Sequence, residues 1–144
     1  MTISFMPAAG DVLMCEFGPD PASVTQPGIM RGPLAVPPEI YKYRPVAVLS
    51  TLGKLSIVVP FSTARPGSPR ACHVLVPLGS YGFLTKTSDS WLKADLIESV
   101  SHERLDRIRT GGVFQRASLG AVHLKALRAA CLNALQLGRL AQSL

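Results

Sequence analysis

The chain has 144 residues and a mass of 15.4 kDa, which is the size of a single domain. Hydrophobic residues make up 47% of it and charged residues 17%, which is typical of globular proteins and excludes a disordered chain. Fifteen Lys and Arg residues against nine Asp and Glu give a net charge of +6, which favours a polyanionic partner such as nucleic acid, a membrane surface or an acidic protein.

Several classes of protein are not indicated by the sequence. The residues before Gly10 contain no basic stretch followed by an apolar run, and no segment offers the roughly 20 uncharged apolar residues of a membrane span. The three cysteines and three histidines are scattered, so neither a disulfide framework nor a zinc site is expected. No Gly-rich phosphate loop occurs either. We therefore expect a cytoplasmic protein with no membrane partner, no metal and no cofactor.

The first predicted strand covers residues 11–17, between Gly10 and Gly18. Residues 18–40 contain six of the twelve prolines and are predicted to form a long loop, because proline cannot donate to a strand ladder. A loop of this length is either functional or an insertion without consequence, and the residues leave both readings open.

The next segments predict a β-hairpin. Apolar runs over residues 44–50 and 55–61 are typical of buried strands, and residues 51–54 form a short turn between them. Pro60 predicts that the second strand ends or bulges at that point. A further short strand is expected over residues 72–76, followed by a turn with aromatic residues over 79–83.

Residues 91–96 are predicted to form another strand. Successive side chains of a strand point to opposite faces, so alternate residues from Leu92 to Leu96 belong to the core. The other face then carries Trp91, Lys93 and Asp95.

The C-terminal part is predicted to be helical. A short helix is expected over residues 101–109, ended by two glycines, and a long helix over about 118–141. The long helix is indicated by apolar residues at three- and four-residue spacing, namely Leu124, Leu127, Cys131, Leu135 and Gly138. From Arg107 onward the chain has six basic residues and no acidic one.

These elements predict a fold that is mainly β with helices (α+β). We expect one domain over residues 1–144, with a small barrel of about five to seven strands over 10–108 and a helical tail over 113–144. A tail this rich in Leu and Ala is suited to bury surface against a second copy of the chain.

Short motifs follow one another in a recognisable order. They are Gly10-Asp-Val-Leu, Arg44-Pro-Val-Ala-Val-Leu-Ser50, Val58-Val-Pro-Phe-Ser-Thr63, His73-Val-Leu-Val76, Tyr81-Gly-Phe83, Asp95-Leu-Ile and Glu103-Arg-Leu105. Together they resemble the PemK/MazF family of bacterial toxin ribonucleases, the toxin half of type II toxin–antitoxin modules. The resemblance covers residues 10–108 and depends on the order of the motifs, because each motif alone is short.

The resemblance implies an SH3-like barrel with appended helices, usually assembled as a homodimer. It implies metal-independent, sequence-specific cleavage of single-stranded RNA that leaves 2′,3′-cyclic phosphate and 5′-hydroxyl ends. It also implies an antitoxin partner, whose disordered tail covers the RNA groove.

The resemblance also implies catalytic residues. The family's Arg-Pro-Val arginine corresponds to Arg44, and the threonine that closes its next strand corresponds to Thr63. Some members complete the site with an Arg and an Asp, which correspond to Lys93 and Asp95. This sequence departs from the family at Lys93, and it also has Leu96 where a Gln is common and Glu98 where an Arg is common.

Each of these residue types suits one step of RNA cleavage by the 2′-hydroxyl. Asp95 is suited to accept or orient the proton of that hydroxyl, and Arg44 to clamp the phosphate through its planar fork. Thr63 offers a neutral hydrogen bond to the same phosphate. Lys93 is suited to stabilise negative charge, or alternatively to donate a proton to the leaving oxygen.

Further residues are candidates for binding RNA. Trp91 is suited to stack on an unpaired base, and Ser62, Arg65 and Arg70 lie close to Thr63 along the chain.

Each candidate also has an ordinary structural interpretation. Arg44 can simply begin a strand, Thr63 can be a turn residue, and Lys93 and Asp95 can form a surface pair of little energetic value. The function has an alternative as well: a non-catalytic toxin-like protein, either gyrase-inhibitor-like or a degenerate interferase, that acts by contact with protein or nucleic acid. The fold alone does not separate the two, because function depends on the site.

Overall fold

The structure, a computed structural model, describes residues 3–19 and 40–144. The predicted proline-rich loop over 18–40 falls almost entirely outside these residues. The described residues form ten strands and two α-helices. The strands are β1 (Asp11–Glu16), β2 (Tyr43–Leu52), β3 (Leu55–Ser62), β4 (His73–Val76), β5 (Ser90–Lys93), β6 (Glu98–Ser101), β7 (Leu105–Asp106), β8 (Ile108–Thr110), β9 (Val113–Gln115) and β10 (Ala117–Ser118), and the helices are α1 (Ala121–Ala134) and α2 (Gly138–Ala141).

Eight of these strands form one antiparallel sheet in the order β10-β1-β2-β3-β5-β4. β3 also pairs with β6 and β1 also pairs with β7, so each of these two strands has three neighbours and the sheet bends around them. β8 and β9 form a separate hairpin. The predicted α+β fold with a barrel-like sheet is confirmed. The described strands outnumber the predicted five to seven because β7–β10 have only two or three residues each, too few to show a periodicity.

Alternate residues of the central strands supply two different cores. On β2, Val46 and Val48 belong to one cluster of buried side chains and Ala47 to the other, and on β3 Val58 and Val59 divide in the same way. The cluster that contains Ala47 also contains Leu127 of α1, so the helix covers this face of the sheet. Burial on both faces explains why these strands read as continuous apolar runs.

The predicted hairpin of β2 and β3 is confirmed, with Val48 opposite Val58. The prediction that β3 ends or bulges at Pro60 is wrong, because the strand continues to Ser62. Before Pro60, β3 pairs with β6, and after it β3 pairs with β5, so the proline lies where the neighbouring strand changes. A missing N–H is tolerated at such a position. The irregularity in pairing lies instead on β2, between Val48 and Ser50.

The strand predicted over residues 91–96 is wrong beyond Lys93. β5 ends there, and Ala94–Leu96 form a 3₁₀ helix in which the N–H of Ile97 donates to the carbonyl of Ala94. Leu92 and Ala94 are buried, as the alternation predicted. Asp95, however, lies on the helical turn, so strand alternation does not place it beside Lys93.

The short helix predicted over residues 101–109 is also wrong. Only His102–Arg104 form a 3₁₀ helix, started by the Ser101 hydroxyl, which accepts from the N–H of Glu103. The chain then returns to strands, because Leu105 pairs with Cys15 of β1.

The predicted C-terminal helix is confirmed, but with different limits. α1 begins at Ala121 and ends at Ala134, and Gln136, whose φ of +64° is left-handed, lies between α1 and α2. Among the described residues, no helix has the length and apolar character required to cross a membrane.

Candidate nucleic-acid interface

The beginning of β2 and the end of β3 form one side of an open groove of about 450 Å³, which we call the basic groove. Among the described residues, five cationic side chains line it and no Asp or Glu does. The cations are Lys42, Arg44, Lys86, Arg107 and Arg109. This charge distribution creates a positive potential in a concave site, which attracts an anionic ligand.

The register of the hairpin brings Arg44 and Thr63 to the same groove. Val46 lies opposite Pro60, and in an antiparallel pair the residues before Val46 approach those after Pro60. Arg44 therefore reaches the level of Ser62, and Thr63 follows directly. Both Arg44 and Thr63 line the basic groove, together with Ser62.

Neighbouring residues hold the Arg44 side chain in place. Its Nε donates to the carbonyl of Tyr41 at 2.6 Å, and its guanidinium lies 5.4 Å from the centroid of the Tyr41 ring. Burial lowers the pKa of Arg44, and the neighbouring Tyr41 raises it in part. A guanidinium still remains protonated at neutral pH, and partial burial strengthens its attraction for a phosphate by reducing screening.

Hydroxyl groups lie beside this arginine. Thr63 is exposed, whereas Ser62 is only 7% exposed and its Oγ accepts from the N–H of Ala64 at 3.2 Å. Thr63 is thus the more accessible of the two to a ligand in the basic groove.

Lys93 and Asp95, the other two predicted catalytic residues, are not among the residues that line the basic groove. Lys93 lies opposite His73 in the pairing of β5 with β4. The Nε2 of His73 is 3.2 Å from the Oδ1 of Asp95, so this carboxylate pairs with His73. Arg44 and Thr63 thus line the same groove, whereas Lys93 and Asp95 are not among its lining residues.

Cys72, His73 and Asp95 lie close enough together to be considered as metal ligands, since their donor atoms all fall within 4.8 Å of one another. The hydrogen bonds of His73 do not suit a metal. Its Nδ1 accepts from the N–H of Arg70 at 3.0 Å, so the ring proton must be on Nε2, the atom that faces Asp95. A metal on Nε2 would require that proton to move to Nδ1, where it would face another donor.

Of the predicted RNA-binding residues, Ser62 lines the basic groove, whereas Trp91, Arg65 and Arg70 do not. Trp91 is half-buried and pairs with Ser62, and its neighbour Ser90 lines the groove. Arg65 and Arg70 are exposed on the segment between β3 and β4 and are not among the lining residues.

Residues 8–130 match the family described as PemK-like, MazF-like toxin of type II toxin–antitoxin system. The chain belongs to this toxin family. The chain is similar in sequence to YifN of Escherichia coli (strain K12). The two are 37% identical over 123 residues, which cover 76% of this chain and 78% of YifN.

Three solved structures share the fold of this PemK-like chain. An endoribonuclease in complex with its cognate antitoxin, from mycobacterial species, has a TM-score of 0.58 and 17% identity over 91% of this chain and 96% of that chain. An endoribonuclease from mycobacterial species has a TM-score of 0.54 and 14% identity over 92% and 94%. The Mycobacterium tuberculosis toxin MazF-mt6 has a TM-score of 0.51 and 22% identity over 69% and 92%.

Four cations of the basic groove were not predicted as site residues of this PemK-like chain: Lys42, Lys86, Arg107 and Arg109. A signal for the last two was present. They flank the buried Ile108, and the two glycines at 111 and 112 adopt the positive φ angles of a two-residue hairpin turn. Reading these glycines as a hairpin rather than a helix end would have placed both arginines on one exposed strand face.

Proposed function

We propose that this protein is the toxin of a type II toxin–antitoxin module and cleaves single-stranded RNA in the basic groove. The observation that carries the proposal is that Arg44 and Thr63 line one groove with four further cations and, within ranges 3–19 and 40–144, with no carboxylate. Family membership supports the same function, and two of the proteins that share the fold are endoribonucleases by name.

In this proposal Arg44 binds the scissile phosphate. Its Nε is used by the Tyr41 carbonyl, which leaves the Nη side of the fork to face the two phosphate oxygens. Because Tyr41 already fixes the side chain, little rotamer freedom is lost when RNA binds. The hydroxyl of Thr63 donates a hydrogen bond to the same phosphate as negative charge accumulates on it.

RNA carries its own nucleophile, the 2′-hydroxyl next to each phosphate. As the 2′-oxygen bonds to phosphorus and the bond from phosphorus to the 5′-oxygen breaks, the protein must align the two oxygens, accept the proton of the 2′-hydroxyl, neutralise the developing charge and supply a proton to the leaving 5′-oxygen. It needs no metal ion to generate a nucleophile. The cations of the basic groove supply this neutralisation. Asp95 as proton acceptor and Lys93 as charge stabiliser or proton donor stay predictions, because both lie outside the groove lining.

Residues at the edge of the groove extend its contact with RNA. Trp91 is proposed to stack on an unpaired base, since it pairs with the groove residue Ser62. Arg65 and Arg70 are proposed to bind flanking phosphates, because both are exposed on the segment that follows Thr63.

Two protein partners belong to the proposal. The first is an antitoxin with an acidic segment, because the basic groove would attract carboxylates as readily as phosphates. The second is another copy of this chain. After α1, four leucines are each between 46% and 58% exposed, which is the kind of surface that a dimer buries: Leu135, Leu137, Leu140 and Leu144. Light scattering on the purified protein is expected to give the mass of a dimer, and a monomer at micromolar concentration would remove this partner.

The test of the proposal is incubation of the purified protein with defined single-stranded RNA in EDTA. We expect fragments with 2′,3′-cyclic phosphate ends, and we expect Arg44→Ala and Thr63→Ala each to reduce the rate at least about 100-fold, as loss of one charge-stabilising donor does elsewhere. Lys54→Ala, in the turn at the far end of the hairpin, is the matched charge control. Intact RNA together with growth arrest in cells would favour the non-catalytic alternative.

A further inference from the structure

A second groove, of about 420 Å³, lies next to the basic groove, and we call it the aromatic groove. Its lining includes the rings of Phe5 and Phe114 and the side chains of Gln115 and Arg116. Arg107 lines both grooves, so the two are contiguous.

Two arginine–phenylalanine pairs separate the grooves. The guanidinium of Arg107 lies 5.3 Å from the centroid of the Phe5 ring, and that of Arg109 lies 4.1 Å from the centroid of the Phe114 ring. In each pair the arginine lines the basic groove and the phenylalanine lines the aromatic groove. Each ring thus has a guanidinium over it, and Arg107 itself lines both grooves.

The hairpin of β8 and β9 holds this wall in position. Ile108 is 2% exposed and packs in the core that α1 covers, whereas Arg107 and Arg109 on either side of it are exposed. Phe114 lies directly opposite Arg109 in the pairing of the two strands. The buried isoleucine therefore anchors the hairpin while both arginines and Phe114 remain accessible.

In the part of the chain that the structure describes, one acidic residue lines the aromatic groove, namely Asp11, which is 6% exposed. Its Oδ2 accepts from the N–H of Ala8 at 2.8 Å, so the carboxylate is directed to the local backbone. The accessible charges of this groove therefore belong mainly to its arginines, and this positive charge suits an anionic ligand such as RNA.

We propose that the aromatic groove binds a nucleobase of the same RNA strand, at a position that flanks the cleaved bond. This inference rests on the proposed function, since it takes the basic groove as the site of the scissile phosphate. The backbone of the strand crosses the wall at Arg107 and Arg109, and the flanking base stacks on Phe5 or Phe114. The amide of Gln115 lies at the same groove and can hydrogen-bond to the edge of the base.

The test is a thermodynamic cycle between the protein and the RNA. The probe is a short single-stranded 2′-O-methyl RNA, which cannot supply the nucleophile and so reports binding alone. A set of matched RNAs each carries one abasic position, placed at a different point along the strand. The protein variant is Phe5→Leu/Phe114→Leu, which keeps apolar volume and removes both rings. The control is Val113→Ala, because Val113 is 62% exposed on the same hairpin and lines neither groove.

We expect one abasic position to weaken binding to the wild-type protein by about 5- to 150-fold, the range for loss of one base–aromatic stack. The double variant should lose a similar factor on the intact RNA and almost nothing more on that abasic RNA, because base and rings would be partners. Val113→Ala should bind like wild type, and thermal unfolding should show that both variants are folded.

The inference would be overturned if the two losses multiplied at every abasic position, or if the double variant bound the intact RNA as tightly as wild type. It also fails separately from the proposed function. If the wild-type protein binds RNA but does not cleave it, the cleavage proposal fails while the cycle still decides the base site. If it cleaves RNA and the cycle shows no coupling, only the base site is lost.

Discussion

His73 lies 3.2 Å from the carboxylate of Asp95, and its other ring nitrogen accepts from the backbone N–H of Arg70. One imidazole thus links the segment before β4 to the 3₁₀ helix after β5. The carboxylate that the sequence assigned to catalysis is in contact with this link, and it does not line the groove that contains Arg44 and Thr63.

Substitution of Asp95 distinguishes its contact with His73 from its predicted role as proton acceptor. As the predicted proton acceptor, Asp95 should be needed for cleavage, and Asp95→Asn should lower kcat/KM by at least about 100-fold. If Asp95 only holds His73, the loss should be no more than a few-fold, because Asn Oδ1 can still accept from His73. The measurement is single-turnover cleavage in EDTA beside Lys93→Arg, which keeps a cation opposite His73 and is expected to be mild if Lys93 stabilises charge. A loss of 100-fold or more in Asp95→Asn, with an unchanged melting temperature, would support Asp95 as the proton acceptor.

The salt dependence of RNA binding reports the phosphate contacts of the basic groove. For single strands, each neutralised phosphate contributes a slope of about −0.7 to a plot of log affinity against log salt concentration. Lys86 lines the groove, so we expect Lys86→Ala to weaken binding to RNAs of different sequence by similar factors and to reduce the slope by about 0.7.

Lys54→Ala is the comparison variant for this experiment, because it removes the same charge in the β2–β3 turn. It should leave the slope unchanged. Equal slopes for Lys86→Ala and wild type would show that Lys86 makes no phosphate contact, and equal reductions in both variants would show a response to net charge alone.

Packing of α1 on the sheet is predicted to contribute much of the stability. Leu127 is fully buried in the core shared by α1 and the sheet, so Leu127→Ala should lower the free energy of unfolding by about 2–5 kcal/mol. On the same helix Val122 is 81% exposed, and Val122→Ala should change the free energy of unfolding by less than about 0.5 kcal/mol. Urea unfolding followed by circular dichroism measures both, and similar values for the two would contradict this packing.

The three cysteines are expected to differ in reactivity. Burial raises the pKa of Cys15 to about 12 and that of Cys131 to about 11, so both remain protonated thiols at pH 8 and react slowly. Cys72 is only half-buried. Labelling of the folded protein with a chromogenic disulfide should show one fast thiol, which Cys72→Ala removes.

The pH dependence of labelling has a defined sign. Since the raised pKa values belong to the folded state, the thiolate fractions of Cys15 and Cys131 are small at pH 8, and their labelling rates should increase with pH up to about 12 and about 11, respectively. Unfolding should increase both rates at once. Three equally fast thiols at pH 8 in the folded protein would contradict the burial of these two side chains.

The sequence by itself determined the strands with strong local signals. The apolar runs of β2 and β3 and the turn at Gly53 specify a hairpin. A strand buried on both faces requires consecutive apolar residues, and a left-handed turn favours glycine, so both features can be recognised from neighbouring residues. The presence of Arg44 and Thr63 at one groove also follows from that hairpin, once the motif order has identified the two residues.

Only the tertiary structure decided where Asp95 lies and which cations share the groove. Asp95 leaves the strand because the chain turns after Lys93 to let β6 pair with β3, a contact between segments about 40 residues apart. Lys42, Lys86 and Arg109 come together from three separate parts of the chain. Periodicity reports which face of its own element a side chain occupies, whereas the convergence of distant charges depends on how the sheet bends, which no local pattern records.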